Sequence, residues 1–140
     1  MQLGIRSREA LLGRLKIGAL AGFIPLSAGL LLPPVYAGPI MTAMLVIAAL
    51  AFAGKGTLPH YDVSSVPADA RRRFLVESSC WMLAALVSYG VVFALLFIAA
   101  PFSTKAGFGH LALIAATISW IMFIRSSERH LKLAGSNASR

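Results

Sequence analysis

Residues 74–100 read FLVESSCWMLAALVSYGVVFALLFIAA, a run whose only charged side chain is Glu77. About 20 consecutive apolar residues carry a helix across a bilayer's hydrocarbon core. At 1.5 Å per residue this run makes a helix of roughly 40 Å. It lacks the apolar–polar alternation of a barrel strand, so its reading is a transmembrane helix. Its start is signalled just upstream: Ser64 and Ser65 are candidate caps, Pro67 suits the first turn, and Asp69 favours the positive helix end. One continuous helix is therefore expected from about Pro67, with Arg71, Arg72 and Arg73 in its first turns at the membrane interface.

Three other segments share this character. Residues 17–32 are apolar and are extended at their start by Leu11, Leu12 and Leu15; residues 35–53 carry no charge; residues 107–124 hold His110 as their only ionisable group. The expected spans are about 11–32, 35–53, 67–100 and 107–124, forming a single domain over 1–140. Pro33 and Pro34 close the first pair with almost no loop, and Pro101 opens a short turn through Lys105 and Gly107. The only sizeable connection is 54–66, and residues 125–140 form a tail. The expected fold class is all-α integral membrane: four transmembrane helices as two helical hairpins, joined by one polar linker.

Composition agrees. Hydrophobic residues make up 58% of the 140 positions and charged ones 13%, with a mean hydropathy of +0.78. A soluble domain carries about 25% charged residues, and one this apolar would expose large sticky patches. A soluble enzyme and a disordered chain are both excluded on this ground. Cys80 is the only cysteine, so no disulfide forms within the chain.

Charge then orients the spans. Lys and Arg total 13 against five acids, a formal net charge of +8. Arg6, Arg8, Arg14 and Lys16 lie in the N-terminal flank; Lys55 and Arg71 to Arg73 lie in the middle linker and the start of the third helix; Arg125, Arg129, Lys132 and Arg140 lie in the tail. Lys105 alone falls on the other side. Cytoplasmic segments are enriched in basic residues, so both termini and the linker are expected in the cytoplasm, with a bacterial inner membrane as the setting. This distribution reads as a topology code and not as a nucleic-acid surface. Arg71, Arg72 and Arg73 are expected to contact lipid head groups, at about 1 kcal/mol per basic residue. A rival reading takes Val35-Tyr36-Ala37 before Gly38 as a signal-peptide cleavage site. The proline pair and the immediate onset of another span favour a tight turn instead.

Ionisable groups inside a bilayer are costly and are the natural functional candidates. Glu77 follows Arg73 by four residues, a spacing that favours an ion pair on one helix face; a proton- or cation-binding role in transport is the alternative. His110 is expected to hydrogen-bond between helices or at the interface. A haem would need a second intramembrane histidine, and His60 and His130 lie in segments assigned to the opposite side. His60, Tyr61 and Asp62 offer too few ligands for a metal. No nucleophile, zinc-protease or phosphate-loop motif is present, so no enzyme activity, cofactor or metal is expected.

Small residues supply the more specific signal. Gly18 and Gly22 form a Gly-x-x-x-Gly pair and Gly29 continues the stripe; Ala49 and Ala53, Ala84 and Ser88, and Ala112 and Ala116 repeat the spacing. Small residues let helix backbones approach closely in lipid, either within the bundle or against another copy or a larger partner. Pro25 is expected to kink the first span, and Trp81 and Trp120 to anchor at the interface. The expected function is a non-enzymatic auxiliary, assembly or immunity-type subunit acting through helix contacts. A small oligomeric transporter or channel is the alternative. The expected partners are the lipid bilayer and another membrane protein or a second copy.

Overall fold

A computed structural model describes residues 2–52 and 66–137, with side chains described for 9–51 and 66–133. Every regular element among them is helical. Helix α1 is Gln2–Leu31, followed by a 3-10 turn at Pro34–Tyr36 and helix α2, Ala37–Phe52. Helix α3 is Ala68–Phe97. A single turn at Phe102–Thr104 and a π-helical turn at Lys105–Gly109 then lead into α4, His110–Asn137. Among the described residues four helices are long and apolar enough to cross a membrane, within Glu9–Leu31, Pro34–Ala51, Ala68–Phe97 and Phe102–Leu133.

Local chemistry explains the boundaries. Proline fixes φ near −65° and lacks an N–H, so it is tolerated at a helix start. Pro33 precedes the 3-10 turn with Pro34 in its first position, and Pro67 and Pro101 each stand immediately before a helix. The cap of α3 is Pro67 itself, without a side-chain cap bond; Ser64 and Ser65 lie outside the described residues. Helix α3 ends at Phe97, three residues short of the expected 100, because Ile98 turns extended. Pro25 does not interrupt α1.

The largest difference from expectation is at the other end of α4. The segment after 124, expected as a tail, continues as helix to Asn137. Its side chains explain this, because Arg129 and His130 are engaged by Glu77 and Phe74 of α3, and packing extends a helix beyond what local propensity supports.

The contacts set the helix order. Gly18 faces Ala51, Gly22 faces Met44 and Gly29 faces Ile40, so α1 and α2 run antiparallel. Lys16 meets Glu128 while Ser27 meets His110, so α1 and α4 are antiparallel too. Helices α3 and α4 share the most extensive interface, α1 packs on both α2 and α4, and α2 leans chiefly on α1. The dry core lies at the end carrying the proline turns: Leu26, Leu30, Ala37, Ile40, Val92, Leu96 and Leu113 are buried together. This is the turn end, and the opposite end, carrying Lys16, Arg73 and Arg129, is the basic end.

Candidate functional site

At the basic end the first turns of α3 and the later turns of α4 line a groove of about 440 Å³. Asp69, Arg73 and Glu77 follow one another at intervals of four, so they share one face of α3, and all three line the groove. From α4 come Ser126, Arg129, His130 and Leu133. Arg129 Nη2 donates to Glu77 Oε1 at 3.1 Å. The partner of Glu77 is thus a residue of another helix, not Arg73 as the sequence spacing suggested. Beneath them Phe74 and His130 stack, with ring centroids 4.1 Å apart and planes inclined by 12°. Burial, with the Arg71 guanidinium adding to it, lowers the pKa of His130, which lies beyond the apolar part of α4. A third helix is fastened at this level, where Lys16 Nζ donates to both carboxylate oxygens of Glu128 at 2.6 and 2.8 Å.

His110 sits at the start of α4, toward the turn end. Its Nε2 lies 2.9 Å from Ser27 Oγ on α1, and its Nδ1 lies 3.4 Å from the Lys105 carbonyl oxygen. A carbonyl only accepts, so this contact assigns the proton to Nδ1, and in the neutral ring Nε2 accepts from the Ser27 hydroxyl. Lys105, among the described residues the one Lys or Arg away from the basic end, is buried in the π-helical turn beside it. From His110 to Arg129 is 19 residues of helix, about 28 Å. The two polar centres therefore lie at opposite ends and do not converge. Among the described residues no group of three His, Cys, Asp or Glu side chains is placed to hold a metal.

The glycine stripe is occupied inside the chain. A Cβ on Gly18 would stand 3.2 Å from Ala51 Cβ, and one on Gly22 2.9 Å from Met44 Cε. One on Gly29 would stand 2.6 Å from both Ile40 Cδ1 and Leu96 Cδ2. All three glycines bring α2 onto α1, which is the internal alternative for these residues. Ala112 and Ala116 also face inward to different degrees, whereas Ala49 is exposed and Ala53 lies outside the described residues.

Because α2 follows α1 and not α3, the middle of the molecule holds an apolar cleft of about 280 Å³. Gly18, Ala48, Ala51 and Ala85 form its small-residue walls, and Tyr89, Phe93 and Trp120 its aromatic side. Trp120, expected as an interfacial anchor, thus lines an internal face and also packs against Phe123 at 5.5 Å.

No protein-family model, curated protein or solved structure matches the chain. Its function is read from its own residues.

Sequence reasoning missed Lys16–Glu128, Arg129 and the Phe74–His130 stack. A signal was available: the chain has only five acids, and an acid beside a span end amid many cations is a natural partner for a neighbouring helix. Which cation it takes depends on helix order, which sequence does not state. His60, Tyr61 and Asp62 lie outside the described residues.

Proposed function

We propose that this chain is a non-enzymatic subunit of a larger membrane assembly, of the auxiliary, assembly or immunity type, acting through helix contacts within the bilayer. In this reading its four helices form two hairpins in a bacterial inner membrane, with both termini and the 54–66 linker cytoplasmic. The basic end is the cytoplasmic end, since cytoplasmic segments collect Lys and Arg. Retention of α1 is part of this reading and is supported by the place of Leu26 and Leu30 in the buried core.

The observation that carries the proposal is the cleft between α2 and α3. Lipid removes most of the hydrophobic drive between helices, so association rests on close packing at small residues. The glycine stripe is used up between α1 and α2, whereas Ala48 and Ala85 border space that a partner's side chain can fill. The polar groups support the same reading, with Glu77 held by Arg129 and His110 by Ser27.

Purification in mild detergent followed by mass spectrometry tests this directly. A membrane protein is expected to co-purify, and Ala48→Phe, at an exposed position on the cleft wall, is expected to release it while the chain stays inserted. Purification of the wild type as a lone monomer overturns the proposal. Under the transporter or channel alternative, Glu77→Gln abolishes flux in reconstituted vesicles; under the subunit reading no flux depends on Glu77.

A further inference from the structure

The groove at the basic end has a charge pattern that its structural duties do not use up. Along its α3 wall the signs alternate: Asp69, Arg73, Glu77. Of these, only Glu77 is engaged, by Arg129. Asp69 and Arg73 stand one turn apart, a spacing at which oppositely charged side chains readily pair, yet among the described residues neither makes an ion pair. The groove therefore offers a carboxylate and a guanidinium side by side, with a second guanidinium opposite. Arg129 spends one donor on Glu77, and a guanidinium has five.

We propose that this groove seats a zwitterionic head group, the phosphate–ammonium unit of a phosphatidylethanolamine-class lipid. The phosphate lies between Arg73 and Arg129, where planar N–H donors suit its oxygens. The primary ammonium donates to Asp69. The two-carbon bridge holds phosphate and ammonium about 5 Å apart, close to the rise of about 6 Å over the four residues from Asp69 to Arg73. An anionic head group without the amine leaves Asp69 facing a phosphate, and a quaternary ammonium has no N–H to give it. Phe74, one residue closer to the apolar run than Arg73, lines the groove beside these charges and receives the apolar part of the lipid below its phosphate.

Depth agrees with this occupant. Arg129 lies five residues beyond Ile124, the end of the apolar run, or about 7.5 Å along the helix. The interfacial layer on each side of the hydrocarbon core is about 5–7 Å deep. The inference rests on the membrane-spanning reading, with this end at head-group level.

The test is native mass spectrometry of the full chain released from vesicles of equimolar phosphatidylethanolamine, phosphatidylglycerol and phosphatidylcholine. The wild type is expected to retain phosphatidylethanolamine severalfold over the other two. Asp69→Asn is expected to erase the preference over phosphatidylcholine, and Arg73→Gln to reduce retained phosphatidylethanolamine to the level of the other lipids. Lys132→Gln removes an exposed cation of the same end that does not line the groove, and is expected to change nothing. A merely structural role for Asp69 at the start of α3 would not alter lipid selectivity. Equal retention of the three lipids, a preference for phosphatidylglycerol, or a loss in Lys132→Gln as large as in Arg73→Gln overturns the proposal. Carbonate washing of the same vesicles separates the two levels. Release of the chain by carbonate overturns the membrane reading along with the seat, whereas a chain that stays inserted without preference overturns the seat alone.

Discussion

At the turn end, Gly29 lets Ile40 and Leu96 come within 2.6 Å of where its Cβ would stand, and Leu30, Val92 and Leu113 are fully buried. At the basic end the same helices are joined by Glu77–Arg129 and Lys16–Glu128, with half-exposed side chains around a groove of about 440 Å³. In the membrane-spanning reading proposed above, the contrast follows from the solvent. In hydrocarbon, helices gain by close apolar contact and by satisfying every polar group internally. At the interface, water and lipid head groups satisfy polar groups for themselves, so ion pairs there contribute little. One end is built for holding the helices together and the other leaves room for a ligand.

The turn end is most sensitive at Leu96. Leu96→Ala removes a fully buried side chain that fills the contact with Gly29 and Ile40, and is expected to cost about 2 kcal/mol or more. Reversible unfolding in bicelles would measure the loss, and a cost below that of the ion-pair variants would show that the turn end is not the stability centre. Next comes the glycine stripe. Gly29→Leu overpacks against Ile40 and Leu96 and should cost about 1–3 kcal/mol, whereas Gly38→Leu, whose Cβ meets nothing within 4 Å, should unfold like the wild type. Gly22→Leu should fall between them, since the atom in its way is the mobile end of Met44. Equal effects at all three positions would sink the reading of the seam.

Polar contacts give smaller effects. Ser27→Ala removes one interhelical hydrogen bond to His110, with an expected cost of about 0.6 kcal/mol, the scale found for such bonds in membranes. Glu77→Gln should cost about 0.2–1 kcal/mol at low salt and less at high salt, because the pair with Arg129 is exposed and screened. A salt-independent loss would place that pair in a drier setting than its exposure indicates.

The smallest expected effect is a pH slope at His130. Its pKa is lowered in the folded chain, so the unfolded chain binds the proton more readily. The stability contributed by the neutral ring is complete above the ordinary histidine pKa, about 6.5. It declines as pH falls below that value toward the lowered one. Thermal unfolding between pH 7.5 and 5 should show this decline, and His130→Phe, which keeps a ring on Phe74, should flatten it.

The sequence made part of the site legible. Asp69, Arg73 and Glu77 could be placed on one helix face by counting, and His110 could be marked as the only ionisable group of its span. Counting also suggested Arg73 as the partner of Glu77. It failed there because spacing along one helix says nothing of the cation that a neighbouring helix presents, and α4 presents Arg129 at 3.1 Å. The helical continuation to Asn137 was hidden for the same reason. Residues 125–137 are polar enough to read as a tail, and their contacts with α3 are visible only once the helices are paired. Trp120 illustrates the remaining gap, because an aromatic residue near a span end anchors at an interface or lines an internal cleft according to which helix lies opposite.

From its sequence alone this chain is committed to helices long and apolar enough to span a membrane. Unbroken apolar runs cannot satisfy their backbone in hydrocarbon any other way, and proline marks where the first and third runs stop. Its helix order, the closing of the glycine stripe between α1 and α2, the cleft left between α2 and α3, and the choice of Arg129 over Arg73 were decided by the tertiary structure. These depend on side-chain volumes and charges meeting across helices distant in sequence, and no local period or propensity encodes that meeting.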